Sequence, residues 1–175
     1  MNKISNIIIE PGLESKTPTD TRYTVRALIL DQNKLFMSYS KKFDDYMTPG
    51  GGVELDEDFI TALKRELLEE MGVIPKSIQP IGYIEEIRST NQGHILYQKS
   101  HYYEVSIDYI TDNKPEAYEL RFGMTPVWVD IDEIINRNDY QIRTRTKLDG
   151  LEIHPYSTLI RENTVLKYIK EVKKL

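Results

Sequence analysis

Glu66, Glu69 and Glu70 lie almost side by side in the run GGVELDEDFITALKRELLEEMGV, Gly51 to Val73, and these are the residues most able to do chemistry. Ile60, Leu63, Leu67 and Met71 recur at helical spacing, Asp56 stands where a cap belongs, and Gly72 stands where a helix ends, so the pattern predicts turn, helix, turn. At roughly 100° per residue the three carboxylates occupy a sector about 100° wide, beside the apolar stripe. Like charges crowded on a partly buried edge repel one another and raise each other's pKa unless a cation neutralises them. A hard divalent ion with oxygen ligands, magnesium or manganese, would do that, and such a site suits the cutting of phosphates.

A helix carrying Lys64, Arg65 and three glutamates is more often a solvated face than a site. The order of the other residues changes that balance. Gly51, Glu57, Arg65 with Glu66, apolar Leu67, Glu69 with Glu70, Gly72 and apolar Val73 resemble the Nudix box at every defined position. A chance match in a chain of this length is on the order of one in ten million. Upstream, YMTPGGGVE from Tyr46 to Glu54 is similar to the family's lead into the box, with Tyr46 replacing the tryptophan often found there. Pro49 followed by Gly50, Gly51 and Gly52 allows positive-φ turns and close approach of backbone to a ligand.

The resemblance implies an α+β fold, an α/β/α sandwich on a mixed central sheet, and it covers roughly Arg22 to Asn136. It also implies roles. Glu66, Glu69 and Glu70 would ligate Mg2+, with Mn2+ a substitute, while Arg65 and Glu57 would brace the loop and aim the glutamates. Gly51 and Gly72 would shape the turns. Water would attack a pyrophosphate bond, and Glu66 competes for the part of general base with Glu116 and Glu119 from the later stretch DNKPEAYELRFG. Within the family, the leading expectation is cleavage of a nucleoside diphosphate linked to another moiety, for example a nucleotide sugar. The alternative is a (d)NTP pyrophosphatase that removes oxidised nucleotides. A noncatalytic module that senses a nucleotide or binds RNA is the reading from another class, and it would be free to lose the carboxylates that this chain keeps.

Alternating and helical patterns predict strands at Arg22 to Leu30 and Lys34 to Ser40, joined by a hairpin turn at Asp31, Gln32 and Asn33. Further strands are expected at Ile78 to Arg88, Ser100 to Ile107 and Pro126 to Asp130, with helices at Ile131 to Asn136 and Ser157 to Lys173. Residues 1–21 read as an N-terminal strand or arm with a linker, and residues 22–175 as one domain. Arg26 alternates with Val25 and Ala27, so it faces away from them and could hold a phosphate; Arg88, after Glu85 and Glu86, is a second candidate for substrate contact. Tyr83, Tyr97, Tyr102 and Tyr103 are assigned to packing rather than base stacking, and Trp128 to the core. His94, His101 and His154 lack metal-ligand spacing. Leu159, Val165, Leu166 and Ile169 are expected to pack on the sheet.

The composition bounds the rest. A length of 175 residues with 39% hydrophobic content suits a single core. A net charge of -5 argues against broad nucleic-acid affinity and leaves a small phosphorylated molecule, such as a nucleotide, as the expected partner. No apolar run is long enough to span a membrane, which gives a cytoplasmic expectation without membrane association. Zero cysteines excludes disulfides. A homodimer formed through a sheet edge or the N-terminal arm is compatible with the pattern.

Overall fold

The computed structural model describes residues 1–90, 92–113, 117–145 and 158–175, with side chains of residues 117–119 not described. Strand β1 (Asn2–Lys3) and β2 (Ile8–Ile9) come from the arm, followed by β3 (Asp20–Leu28), β4 (Leu30–Asp31), β5 (Lys34–Ser40) and β6 (Asp45–Met47). Helix α1 (Phe59–Met71) leads into the long hairpin β7 (Val73–Ser89) and β8 (Ile95–Ile110). The chain then runs through α2 (Ala117–Phe122), β9 (Met124–Asp130), α3 (Ile131–Thr144) and α4 (Leu159–Lys173).

One mixed sheet has the order β1-β7-β8-β3, with β2 also on β7. β3 is parallel to β8, whereas β7 and β8 are antiparallel. A second, antiparallel sheet places β5 between β4, β6 and β9. Strand alternation then divides the core in two. Val25, Ala27, Phe36, Tyr103 and Val105 pack with Ala62, Leu63, Leu67 and Met71 of α1 on one side. Leu28, Leu35, Met37 and Tyr102 pack with Ile134 and Ile135 of α3 and Val165, Leu166 and Ile169 of α4 on the other. This is the expected α+β sandwich with helices on both faces of a mixed sheet.

Several expected boundaries move, each for a visible reason. The cap of α1 is Asp58, whose side chain accepts from the Ile60 and Thr61 amides at 2.9 and 3.0 Å. Asp56 instead takes a left-handed conformation in the preceding turn, with φ 65°. Ile60 lies 37% exposed, and Ala62 takes the place in the core that the simple spacing gave to Ile60. Gly72 closes the helix at φ 65°, where an added Cβ would run into the Thr111 carbonyl.

β7 is longer than expected because Pro75 and Pro80 sit where the register with β8 shifts, so they do not end the strand. α3 continues through the polar run Asn136 to Thr144 because Asn138 is buried, accepting from the Tyr46 amide and donating to its carbonyl. Trp128 is 38% exposed rather than core; it stacks on Phe36 at 5.0 Å from β9, which among the described residues pairs with β5 alone. The N-terminal arm lies along β7, and Glu10 accepts from the Ser89 amide at 2.7 Å. Asp20 and Thr21, expected in the linker, already belong to β3. Among the described residues no helix is long and apolar enough to cross a membrane.

Candidate functional site

The turn before α1 is built onto β3. Ala27 donates to the Pro49 carbonyl, Val25 to that of Gly51, and Val53 to that of Tyr23, at 2.9 to 3.0 Å, so the glycine stretch runs along the strand. Gly50 has φ 127°, and a Cβ there would collide with the Val25 carbonyl; a Cβ at Gly51 would collide with the Glu66 carboxylate. Gly50 is therefore required by its φ and by close approach of backbone, whereas a side chain at Gly51 would push away the Glu66 carboxylate, so this glycine lets α1's acidic edge lie against the loop.

Arg65 organises that edge. Its guanidinium donates to both carboxylate oxygens of Glu57 at 3.0 Å, to the Gly52 carbonyl at 3.0 Å, and through Nη1 to Glu66 at 3.0 Å and Glu69 at 3.1 Å. The Arg65 bonds hold the Glu57 carboxyl below its ordinary value, and the carboxylates keep Arg65 charged. Burial pushes the Glu66 carboxyl up, against the lowering effect of Arg65 and Arg26. Glu70 accepts from the Gly50 amide at 2.7 Å.

Beside this edge opens a cleft of about 650 Å³ lined by Glu66, Glu70, Gly50 to Glu54, Arg65 and four further arginines, Arg22, Arg26, Arg88 and Arg161. Strand register explains how they meet. Arg22 is opposite Gln98 on β8, which is opposite Glu86 on β7, and Arg26 lies four residues further along β3, an even step, so all share the face turned toward α4. Arg26 donates to the Thr48 carbonyl at 3.0 Å and Arg88 to the Gln98 side chain at 3.3 Å. Neither makes an ion pair among the described residues. Met47 and Met124 give the cleft apolar wall.

The expected residues thus fall into groups. Glu57, Arg65, Glu66, Glu70, Gly51, Arg26 and Arg88 come together at the cleft or directly behind it. Glu69 is held by Arg65 but is not among the residues lining the cleft. Glu116 and His154 lie outside the described residues, and of Glu119 only its place in α2 is described. None of Tyr83, Tyr97, Tyr102 and Tyr103 lines the cleft; Tyr102 and Tyr103 are buried, and Tyr97 donates to Glu85 at 2.5 Å. Sequence reasoning did not single out Arg22, Gln98, Arg161 or Glu162. The alternation Arg22, Thr24, Arg26 on β3 could have revealed the first.

The donor set fits a hard divalent ion in chemistry: carboxylate oxygens on one helix, with Glu66 withdrawn from water against a glycine that leaves room for it. As arranged, no three carboxylates or imidazoles among the described residues converge on one point, since Arg65 holds Glu66 and Glu69 and the Gly50 amide holds Glu70.

Comparison with known proteins agrees with this architecture. An 8-oxo-dGTP diphosphatase of Buchnera aphidicola (subsp. Acyrthosiphon pisum, strain APS) is 42% identical over 60 residues, which is 34% of this chain and 48% of that protein. The chain therefore spans about half the length of this curated relative. A NUDIX hydrolase from Nitrosomonas europaea superposes with a TM-score of 0.51 at 22% identity, covering 79% of this chain and 99% of that one. A MutT NUDIX hydrolase from Burkholderia pseudomallei gives 0.51 at 19% identity, covering 64% and 84%. These two likenesses concern the fold. The NUDIX domain family matches residues 20–148, most of the described core and the whole box, and the chain belongs to the Nudix hydrolase superfamily.

Proposed function

We propose that the protein is a magnesium-dependent nucleoside triphosphate pyrophosphatase that acts on oxidised nucleotides, releasing a nucleoside monophosphate and pyrophosphate. The observation that carries this reading is the row of cleft arginines, Arg22, Arg26 and Arg88, facing the Glu66 and Glu70 edge. A terminal phosphate carries about two negative charges and an internal one about one, so a triphosphate brings about four where a diphosphate conjugate brings about two. A cleft with this many guanidinium groups suits the more highly charged substrate. The partial likeness to an 8-oxo-dGTP diphosphatase supports the same choice over the nucleotide conjugate expected first from sequence.

In this reading Arg26 and Arg22 bind and orient the polyphosphate, and Gly50 to Gly52 let backbone come close to it. Glu66, Glu69 and Glu70 would hold the ion. A divalent ion bound there supplies charge withdrawal from phosphorus and a more acidic water. Glu66, whose carboxyl burial makes more basic, accepts the proton of the attacking water, and Arg65 keeps it aimed at the cleft.

Product identity tests the proposal. With magnesium and a panel of normal and oxidised nucleoside triphosphates and nucleotide sugars, monophosphate plus pyrophosphate is the expected outcome. Two organic monophosphates from a conjugate would return the first expectation. Glu70→Gln should retain the fold and lose turnover by about a hundredfold or more; parent-like turnover would remove Glu70 from the site.

A further inference from the structure

The C-terminal helix sends two charged residues under the cleft, where no feature of the box anticipates them. Arg161 is 1% exposed and Glu162 0%. Arg161 donates to Glu86 at 2.9 Å and to Glu162 Oε1 at 2.9 Å. The other oxygen of Glu162 accepts from both the amide and the hydroxyl of Thr48, at 2.9 and 2.8 Å. Thr48 is itself 1% exposed, and its carbonyl takes the Arg26 guanidinium. Two residues on, the Gly50 amide donates to Glu70. A continuous path of bonds thus runs from β7 through α4 to the glycine turn and the acidic edge of α1.

We propose that Glu162 is a positioning residue for the site: it fixes Thr48, and thereby the Gly50 amide that holds Glu70. The proposal rests on the reading of Glu66 and Glu70 as the reacting end of the cleft. Chemistry at position 162 is strict. One oxygen faces the Arg161 donor and the other faces two Thr48 donors, so the residue must accept on both sides. Glutamine has the right shape but always turns its NH2 toward a donor, and a buried donor facing a donor must move away. Turned toward Thr48, the NH2 displaces the segment that leads directly into Pro49 and Gly50; turned toward Arg161, it drives off the guanidinium that holds residue 162 against Thr48.

The test uses the full chain and the variants Glu162→Gln, Thr48→Val and Thr48→Ser. Thr48→Val keeps the amide bond and removes only the hydroxyl donor, while Thr48→Ser restores the donor. Two readouts are taken: steady-state hydrolysis of a magnesium nucleoside triphosphate, and amide hydrogen exchange at Thr48 and Gly50 without nucleotide or metal. For Glu162→Gln, kcat should fall about thirtyfold or more with KM within about twofold, and the Gly50 amide should exchange faster. Thr48→Val should shift both in the same direction by about fivefold, and Thr48→Ser should resemble the parent. Unchanged Gly50 exchange and near-parent kcat in a folded Glu162→Gln would overturn the proposal. Should Glu162→Gln fail to fold, Thr48→Val decides by the same two readouts. If the parent hydrolyses no nucleotide, the functional reading fails while the exchange at Gly50 still tests the positioning role.

Discussion

Helices α1 and α4 flank the same cleft and treat charge in opposite ways. α1 buries only apolar residues, Ala62, Leu63, Leu67 and Met71, and carries its glutamates along the rim. α4 buries Leu159, Val165, Leu166 and Ile169 together with Arg161, Glu162 and Asn163. The first arrangement keeps carboxylates at the cleft edge, where Arg65 and the Gly50 amide hold them. In the second, carboxylates are spent on holding backbone, because charges taken out of water persist only with partners on all sides. The two helices show that proximity to a cleft does not by itself make a charged residue part of the chemistry.

Removing one charge from the α4 network should have the largest effect on stability. Arg161→Met leaves Glu86 and Glu162 buried without their shared partner, and urea unfolding should show a loss of about 3–5 kcal/mol. A loss below about 1 kcal/mol would mean that the network is no more than decoration, and the contrast with α1 would collapse. Asp58→Ala, which removes the cap of α1, should lower the unfolding midpoint by less than Arg161→Met does, without changing the cleft arginines. A parent-like unfolding midpoint would show that the carboxylate helix is held by its apolar face alone.

At neutral pH the smallest effect belongs to the polar group packed beside α1. His101 touches the Phe59 ring at 4.4 Å, and burial lowers its pKa to about 4, with Lys99 and the amino terminus adding to the shift. The unfolded imidazole binds its proton near pH 6.5, so between about 6.5 and 4 the unfolded state holds more protons than the folded one. Stability from this group is therefore full above about pH 6.5 and declines as pH falls toward 4. His101→Phe should flatten that part of the profile in melting temperatures taken from pH 7 to pH 5. An unaltered slope would exclude His101 as the source of the acid sensitivity; Asp45, whose carboxyl burial raises, acts in the opposite sense and would not replace it.

The legibility of the site tracks how local its constraints are. Gly51, Glu57, Arg65 and Glu66 were readable because a turn and a single helix fix their relations, so spacing is geometry. Arg26 was readable from alternation on one strand, and Val25 and Ala27 do fall in the opposite core. Asp58 as cap was missed because Asp56 satisfies the same local rule, and the turn geometry chose between them. Trp128 was misread because its type favours burial, while β9's place at the sheet margin leaves one ring face open. The polar run after Ile135 looked like the end of a helix, since nothing local reveals that Asn138 pairs with Tyr46, 92 residues earlier in the chain.

By itself the sequence determined the turn and helix that carry the carboxylates, the superfamily, and the division of each strand into two faces, because these follow from periodicity and from residues a few positions apart. Only the tertiary structure decided which arginines share the cleft and that Glu162 grips Thr48. Those relations depend on strand register and on a helix more than a hundred residues away in the chain, and side-chain charge alone carries no record of which partners burial will supply.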